Sequence, residues 1–321
     1  MRMNINEIVD SAPNRPIIQN TLMKTDVKLT YYRNPVISVS GGSDSDIMID
    51  IVERVRGDRK VIYVWFDTGI EYDATERHLD DLEKRYDIEI RREKAVVPVP
   101  VGCKRYGLPF ISKRVSMYID RLQGHGFDWV DEPFDVLYKK YPKCKSALKW
   151  WCNAWDDKDG KPSHFNIKNH KYLKEFMIEN LPKTRFSKKC CDGAKEKTGD
   201  MIDKLYDAGI KLQGLRQAEG GQRATGIESC FSAPTDKKIA QYRPLYFWTD
   251  DDKAIYKQWA KLVNSDCYEV WGMTRTGCAG CPLGSRFEEE LKLIHQYEPK
   301  LETAVNNIFG KSYEYTRQYR E

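Results

Sequence analysis

The chain is apolar without a break through PVISV (35–39). Two glycines and a Ser/Asp cluster follow, and then Ile47, Ile51 and Val55 recur at i, i+4 and i+8. An unbroken apolar run followed by helical spacing predicts a buried strand over 35–39 and a helix over 47–56. RKVIYVWFD predicts a second strand ending at Asp67, 74–85 a helix, and DIEIRR a short third strand. A β-α-β-α-β start implies a parallel sheet with right-handed crossovers. The pattern breaks over 98–189, where Gly, Pro, aromatic and basic residues dominate an irregular, helical insertion with a helix at 170–180. It returns with a helix over 195–208 and a strand over 210–214. Arg243-Pro244-Leu245 reads as a last strand. TDDDKAIYKQWAKLV reads as a helix with Thr249 at its N-cap. Residues 1–34 form a helical lead-in, 35–285 the main domain, and 286–321 a charged helical tail.

Composition narrows the classes. Apolar residues make up 40% and charged residues 31%, which excludes a disordered chain. No apolar run approaches the ~20 residues of a membrane span. The start, MRMNINEIVDSAPNRP, lacks the apolar core of a secretory signal, so the cytoplasm is the expected compartment. Net charge is only +5, which permits an anionic substrate without demanding nucleic acid. Between residues 102 and 190 basic residues outnumber acidic ones roughly two to one, with Trp and Tyr interleaved (LKWWCNAW). That insertion is either a grip on a nucleic-acid substrate or a solvated lid.

SGGSDS (40–45) lies between a predicted strand and a predicted helix. Glycines let backbone approach an oxyanion closely, and the helix aims its N–H groups and dipole at the same place. Ser40, Ser43 and Ser45 offer hydroxyl donors. Asp44 is out of place beside phosphate unless it shapes the loop by bonding backbone amides or helps hold Mg²⁺. A plain capped turn is the alternative. There is no Walker lysine and no GxGxxG.

SGGSDS resembles the PP-loop, SGGxDS, of the ATP pyrophosphatase and adenine nucleotide alpha-hydrolase superfamily. VWFDTGIEYDAT resembles the D-T-G turn of its phosphoadenosine phosphosulfate (PAPS) reductase branch. GLRQAEGGQRA resembles the family's G-x-R segment, and YRPLYFWTDDDKAIY its P-L-x-x-W-T-x-x-D stretch. The resemblance implies an α/β fold with a parallel-sheet, Rossmann-like core of the HUP type. It implies that Ser40, Gly41, Gly42, Ser43, Asp44 and Ser45 contact the phosphates of ATP held with Mg²⁺. Asp67, Thr68 and Gly69 would line the nucleotide site, although Asp67 also suits a simple strand-end cap. Arg216 and Arg223 would face an anionic substrate, since guanidinium suits phosphate or sulfate. Structural ion pairs are an equal reading for Arg223 and Arg243, and core packing is the better one for Trp248.

Nine cysteines is a high count, and KKCCDG and CAGC bring four into two close pairs. Cys190, Cys191, Cys278 and Cys281 resemble the 4Fe–4S arrangement of assimilatory adenosine phosphosulfate (APS) reductases. Zn²⁺ in a Cys₄ site and a redox dithiol are the rivals. Adjacent cysteines are awkward ligands for one cluster, so Cys230 and Cys267 are alternative ligands, or sulfur-carrying nucleophiles. Cys103, Cys144 and Cys152 read as small buried hydrophobes. His125, His164 and His170 lack metal-ligand spacing.

Two departures from the reductases matter. Those enzymes carry a nucleophilic cysteine in their last segment, and here no cysteine follows Cys281. Reductases of this branch also have eroded loops, whereas this loop keeps both glycines, the Asp and the Ser. Together these favour an ATP-dependent adenylylating or sulfur-transfer enzyme, similar to tRNA thiolation and DNA phosphorothioation enzymes, served by a sulfur-donor protein. The alternatives are a PAPS or APS reductase with a relocated nucleophile, and a non-enzymatic nucleotide-binding module.

Overall fold

The computed structural model describes residues 4–220, 226–284 and 286–321. The chain separates into two compact units, one built from residues 1–96 and 195–279, the other from 97–194 and 280–321.

The first unit holds one sheet of six strands in the order β3-β2-β1-β4-β6-β5. They are β1 (Val36–Val39), β2 (Ile62–Asp67), β3 (Ile90–Lys94), β4 (Ile210–Gln213), β5 (Phe231–Ser232) and β6 (Ala240–Tyr242). All neighbours are parallel except β5, which runs antiparallel to β6 at the edge. Helix α1 spans Ile5–Ser11, α2 Pro16–Tyr31, α3 Ser43–Val55 and α4 Asp73–Tyr86. The parallel sheet and crossovers expected from the early β-α-β-α-β pattern are present.

The core of this unit is continuous from α2 (Ile18, Leu22, Leu29) through α3 (Ile47, Ile51, Val55) to the strands. Nearly all of α3 is buried, including Ser43, Asp44, Ser45, Asp46 and Asp50. Burying carboxylates demands partners. Asp50 takes Arg54 in an ion pair of 2.6 Å and accepts hydrogen bonds from Tyr86 and Tyr256 at 2.9 and 2.7 Å. Asp46 meets His78 of α4 at 2.9 Å.

Two predicted elements move. The helix after SGGSDS begins at Ser43 and so takes in half the loop motif. The last strand ends at Tyr242, before Arg243-Pro244-Leu245. The Arg243 amide makes the last bond of the β5/β6 register, to the Cys230 carbonyl at 2.7 Å, and Pro244 has no N–H with which to continue it. Thr249 caps the helix Asp250–Ala260 as expected, in a reciprocal capping box with Asp252. Trp248 is core, its Nε1 donating to Thr21 Oγ1 at 2.9 Å and its ring packed on Tyr256.

The second unit is mainly helical, as the sequence suggested for the insertion. Helices α5 (Val99–Tyr106), α6 (Lys113–Gln123), α7 (Phe134–Lys140), α8 (Lys145–Trp151) and α9 (Leu173–Glu179) are joined by Phe287–Tyr297 and Pro299–Arg320 from the tail. Its core is aromatic: Phe110, Phe127, Trp129, Trp150, Trp151 and Phe186. Trp150 and Trp151, which made LKWWCNAW look like a stacking surface, are 1% and 0% exposed and pack inward.

The order reverses between β1 and β4, and loops diverge there from the strands' C-terminal ends. Open α/β sheets bind ligands at such a switch point. Gly214 closes β4 at this place. A Cβ on it would lie 2.9 Å from the Asp44 carbonyl oxygen and 3.1 Å from the Ser45 nitrogen. Those are backbone atoms of the first turn of α3, which cannot swing aside. Gly214→Ala is expected to cost about 1–3 kcal/mol by overpacking. If SGGSDS holds a phosphate-bearing ligand, as its resemblance implies, the substitution should also lower that ligand's affinity, because the loop itself is displaced. Denaturant unfolding and a ligand titration on the same preparation check both.

Candidate functional site

The phosphate loop turns on Gly41, whose φ of +64° suits glycine and whose missing Cβ leaves room for Thr75. Its hydroxyls close it internally. Ser45 Oγ donates to the Gly42 carbonyl at 2.8 Å and accepts from the Ser40 amide at 3.3 Å. Ser40 Oγ accepts from the Gly42 amide at 3.3 Å. Ser43 Oγ is buried without a hydrogen-bond partner, an orphaned donor at the N-terminus of α3.

Asp44 has a role the sequence reading did not identify. One carboxylate oxygen takes Arg216 Nε at 2.9 Å and the other takes Lys253 Nζ at 2.7 Å. Arg216 extends the network to Asp250 at 2.7 Å. Asp44 and Arg216 are both buried, so this is a desolvated ion cluster rather than a surface pair. Both carboxylate oxygens of Asp44 thus face cations. The side chain fixes two cations beside the loop.

Gly42, Ser43, Asp44, Ser45, Thr68, Arg216 and Lys253 all line one cleft of about 1360 Å³ within the first unit. Ser40 lines it as well. Asp67 instead accepts from the Gly69 amide at 2.8 Å, capping the D-T-G turn that Gly69 makes at φ +79°. Asp67 therefore acts as the simple strand-end cap. Arg223 lies outside the described residues. Arg243 is structural: its guanidinium donates to Ser232 Oγ at 3.1 Å and Gln241 Oε1 at 2.6 Å, tying β5 to β6.

Other cleft residues carry no local sequence signature. Glu71 is partly buried, and its carboxylate accepts from the Thr68 hydroxyl and amide. Burial pushes its carboxyl up to about 7, against the opposing pull of the Thr68 hydroxyl and the Lys195 charge. Opposite the loop stand Tyr268 and the turn 274–277. Beneath it, burial raises the Asp46 carboxyl, opposed by His78. Burial disfavours the His78 imidazolium, but the Asp46 hydrogen bond and charge outweigh that and raise it.

The cysteines are arranged differently from the expected set. Within the second unit Cys190 hydrogen-bonds Cys103 and Cys191, and Cys281 acts on it through space. Gly102 permits the approach, since a Cβ there would lie 2.9 Å from the Cys190 Cα. The Cys103 hydrogen bond, with burial, drives the Cys190 thiol well above its ordinary range. Cys103, read as an inert hydrophobe, is thus a partner of Cys190. Cys278 belongs to the first unit, where the Thr68 hydroxyl lies 3.7 Å from its sulfur. Cys267 and Cys230 are packed in the first unit, Cys267 beside Thr75 at 4.0 Å and Cys230 against the main core. Among the described residues no group of three or more Cys, His, Asp or Glu is arranged to hold a metal ion. Cys190, Cys191 and Cys281 nonetheless act on one another within the second unit. No described cysteine lines the cleft.

The fold and loop together define an α/β domain with a cleft at the switch point of its sheet. Residues 34–102 match the family model described as the phosphoadenosine phosphosulfate reductase domain, which bears out the resemblance read from SGGSDS and FDTG. No curated protein matches. Solved structures with related outlines include PAPS reductase from Candida auris in a phosphate complex. It is 10% identical, covers 85% of this chain and 93% of its own, and has a TM-score of 0.44. Another is NH₃-dependent NAD synthetase from Campylobacter jejuni with nitrate, also 10% identical, covering 93% of this chain and 94% of its own at a TM-score of 0.36. Among the described residues no helix is long and apolar enough to cross a membrane.

Two outcomes follow from this geometry. Asp44→Asn removes the charge opposite half-buried Lys253 and leaves buried Arg216 only the exposed Asp250, and is expected to cost about 3 kcal/mol, read by denaturant unfolding. The second concerns Glu71, whose ordinary value of 4.5 rises to about 7 on folding. Its contribution to stability is full below about 4.5 and is lost as pH rises through about 7, because the unfolded chain gives up the proton first. Relative to Glu71→Gln, the native chain should therefore lose stability across that window. A difference that stays flat from about pH 4 to 8 would refute the assignment.

Proposed function

We propose that the chain is an ATP-dependent adenylylating enzyme of the PP-loop type, coupled to sulfur transfer. The observation that carries this reading is the complete loop. Gly42, Ser43 and Ser45 face the cleft at the sheet's switch point, with Arg216 and Lys253 held beside them by Asp44. Two cations, a helix N-terminus and hydroxyl donors suit a pyrophosphate of high charge better than a single sulfate or phosphate.

In this mechanism ATP enters with Mg²⁺ on its phosphates, and its pyrophosphate lies on SGGSDS. An acceptor oxygen attacks the α-phosphorus, the bond to the bridging oxygen breaks, and pyrophosphate leaves carrying the negative charge. The outer sulfur of a persulfide on a donor protein then displaces AMP from the activated acceptor, and a second thiol of the donor attacks the donor-side sulfur of the resulting disulfide, releasing the thiolated acceptor and leaving the donor oxidised as a disulfide. The protein contributes position and charge neutralisation rather than covalent chemistry. Glu71, near half-ionised at neutral pH, is placed at the cleft wall to accept the acceptor's proton.

A second reading, thiol-dependent reduction of a sulfonucleotide, is favoured by the family match over 34–102. It requires an attacking thiol from elsewhere, because the described cleft is lined by none. The two readings separate in a panel of ATP, APS and PAPS tested for binding and turnover. ATP should bind and yield pyrophosphate, and Asp44→Asn should abolish the yield. Sulfite from PAPS or APS, with no response to ATP, would replace the first reading by the second.

A further inference from the structure

The wall facing SGGSDS is made by Tyr268, on the short helix Asp266–Glu269, and by the turn 274–277. The Tyr268 hydroxyl is held in an unusual way. Its oxygen accepts the backbone N–H of Thr276 at 3.1 Å and is also acted on by the nearby backbone N–H of Ser43. It also pairs with Thr276 Oγ1 at 2.9 Å. Ser43 is the first residue of α3, so its amide is one of the unpaired helix-start donors that bind anions. Two amides from opposite walls therefore converge on one phenolic oxygen. Around that oxygen, a Cβ built on Gly42 would lie 3.1 Å from Tyr268 Oη, 3.3 Å from Ser40 Oγ and 3.4 Å from Thr276 Oγ1.

An oxygen on which two backbone N–H groups converge at a helix N-terminus occupies the position of an anion's oxygen. Nearby groups are suited to charge as well. Ser43 Oγ is buried without a partner. Lys253 and Arg216 line the same cleft, and so does the exposed side chain of Arg275, inside the turn itself. A neutral phenol uses two donors in this array and none of its charge.

We propose that the Tyr268 hydroxyl is a displaceable stand-in for a phosphate oxygen. Tyr268 and the turn 274–277 are the second half of the phosphate site, which opens when a pyrophosphate group takes the Ser43 and Thr276 amides from the phenol. Arg275 then supplies the charge on this wall. The inference rests on the reading that SGGSDS binds a phosphate chain. It adds that the free protein blocks its own site, and that this turn contacts the ligand rather than merely leading into CAGC.

The test is calorimetric titration of the full chain with inorganic pyrophosphate. Tyr268→Phe removes the competing oxygen and frees both amides. Since one hydrogen bond shifts an equilibrium by roughly 2- to 10-fold, the Phe variant should bind pyrophosphate about fivefold more tightly than the native chain. Thr276→Val, which loosens the phenol without touching the amides, should shift affinity the same way by a smaller factor, and it serves if Tyr268→Phe fails to fold. Arg275→Gln should weaken binding about tenfold and flatten its salt dependence. If the native chain binds pyrophosphate but the Tyr268 and Thr276 variants bind equally or more weakly, the hydroxyl is a ligand contact or a strut, and the proposal is overturned while the phosphate-site reading stands. If neither the native chain nor the Phe variant binds pyrophosphate, both fall.

Discussion

The first unit is organised around a carboxylate that faces cations where a phosphate loop would be expected to exclude it. Asp44 lies in the first turn of α3, directly above the β1/β4 switch point, and takes Arg216 from the end of β4 and Lys253 from the helix Asp250–Ala260. Three separate stretches of chain are brought to one place by that one group. A negative charge near a helix N-terminus is itself favourable. Its pairing fixes the orientation of both cations at no cost in exposed surface. The loop is therefore assembled before any ligand arrives, which is what catalysis by positioning requires.

This arrangement also explains why the site reads so unevenly from sequence. β1, the loop and α3 were legible because the apolar pattern switches from continuous to helical within ten residues, with glycines at the switch. The Thr249 cap was legible because its partner Asp252 is three residues away. Lys253, Tyr268 and Glu71 left no such trace. Lys253 reaches Asp44 across some two hundred positions, and on its own helix it resembles any exposed lysine. The strand expected at Arg243-Pro244-Leu245 failed because a strand's donors count as much as its apolar side chains. Pro244 has no N–H, so the β5/β6 pairing ends with the bond from the Arg243 amide to the Cys230 carbonyl.

The thiols show the limit of reading ligands from spacing. CC and CxxC were grouped by their closeness in sequence, yet Cys190 finds Cys103, ninety positions earlier, because Gly102 lets two helices touch. LKWWCNAW misleads in the same way. An aromatic and basic run looks like a nucleic-acid surface until burial is known. Here Trp150 and Trp151 are buried in the core of the helical unit among other aromatic and aliphatic side chains.

The two walls of the cleft differ in how their positive character is held. On the SGGSDS side it is fixed by a buried ion cluster, where moving any member exposes an unpaired charge. On the Tyr268 side it is held by neutral hydrogen bonds and an exposed arginine, which exchange partners cheaply. A site built this way keeps one wall rigid and leaves the other free to rearrange. On the proposed reading the rigid wall would set where the phosphates lie, and the yielding wall how readily they enter and leave. For an enzyme that must release pyrophosphate after each turnover, that division is advantageous. Donors that return to the Tyr268 oxygen as the product departs lower the cost of emptying the site, because no buried amide is left unpaired.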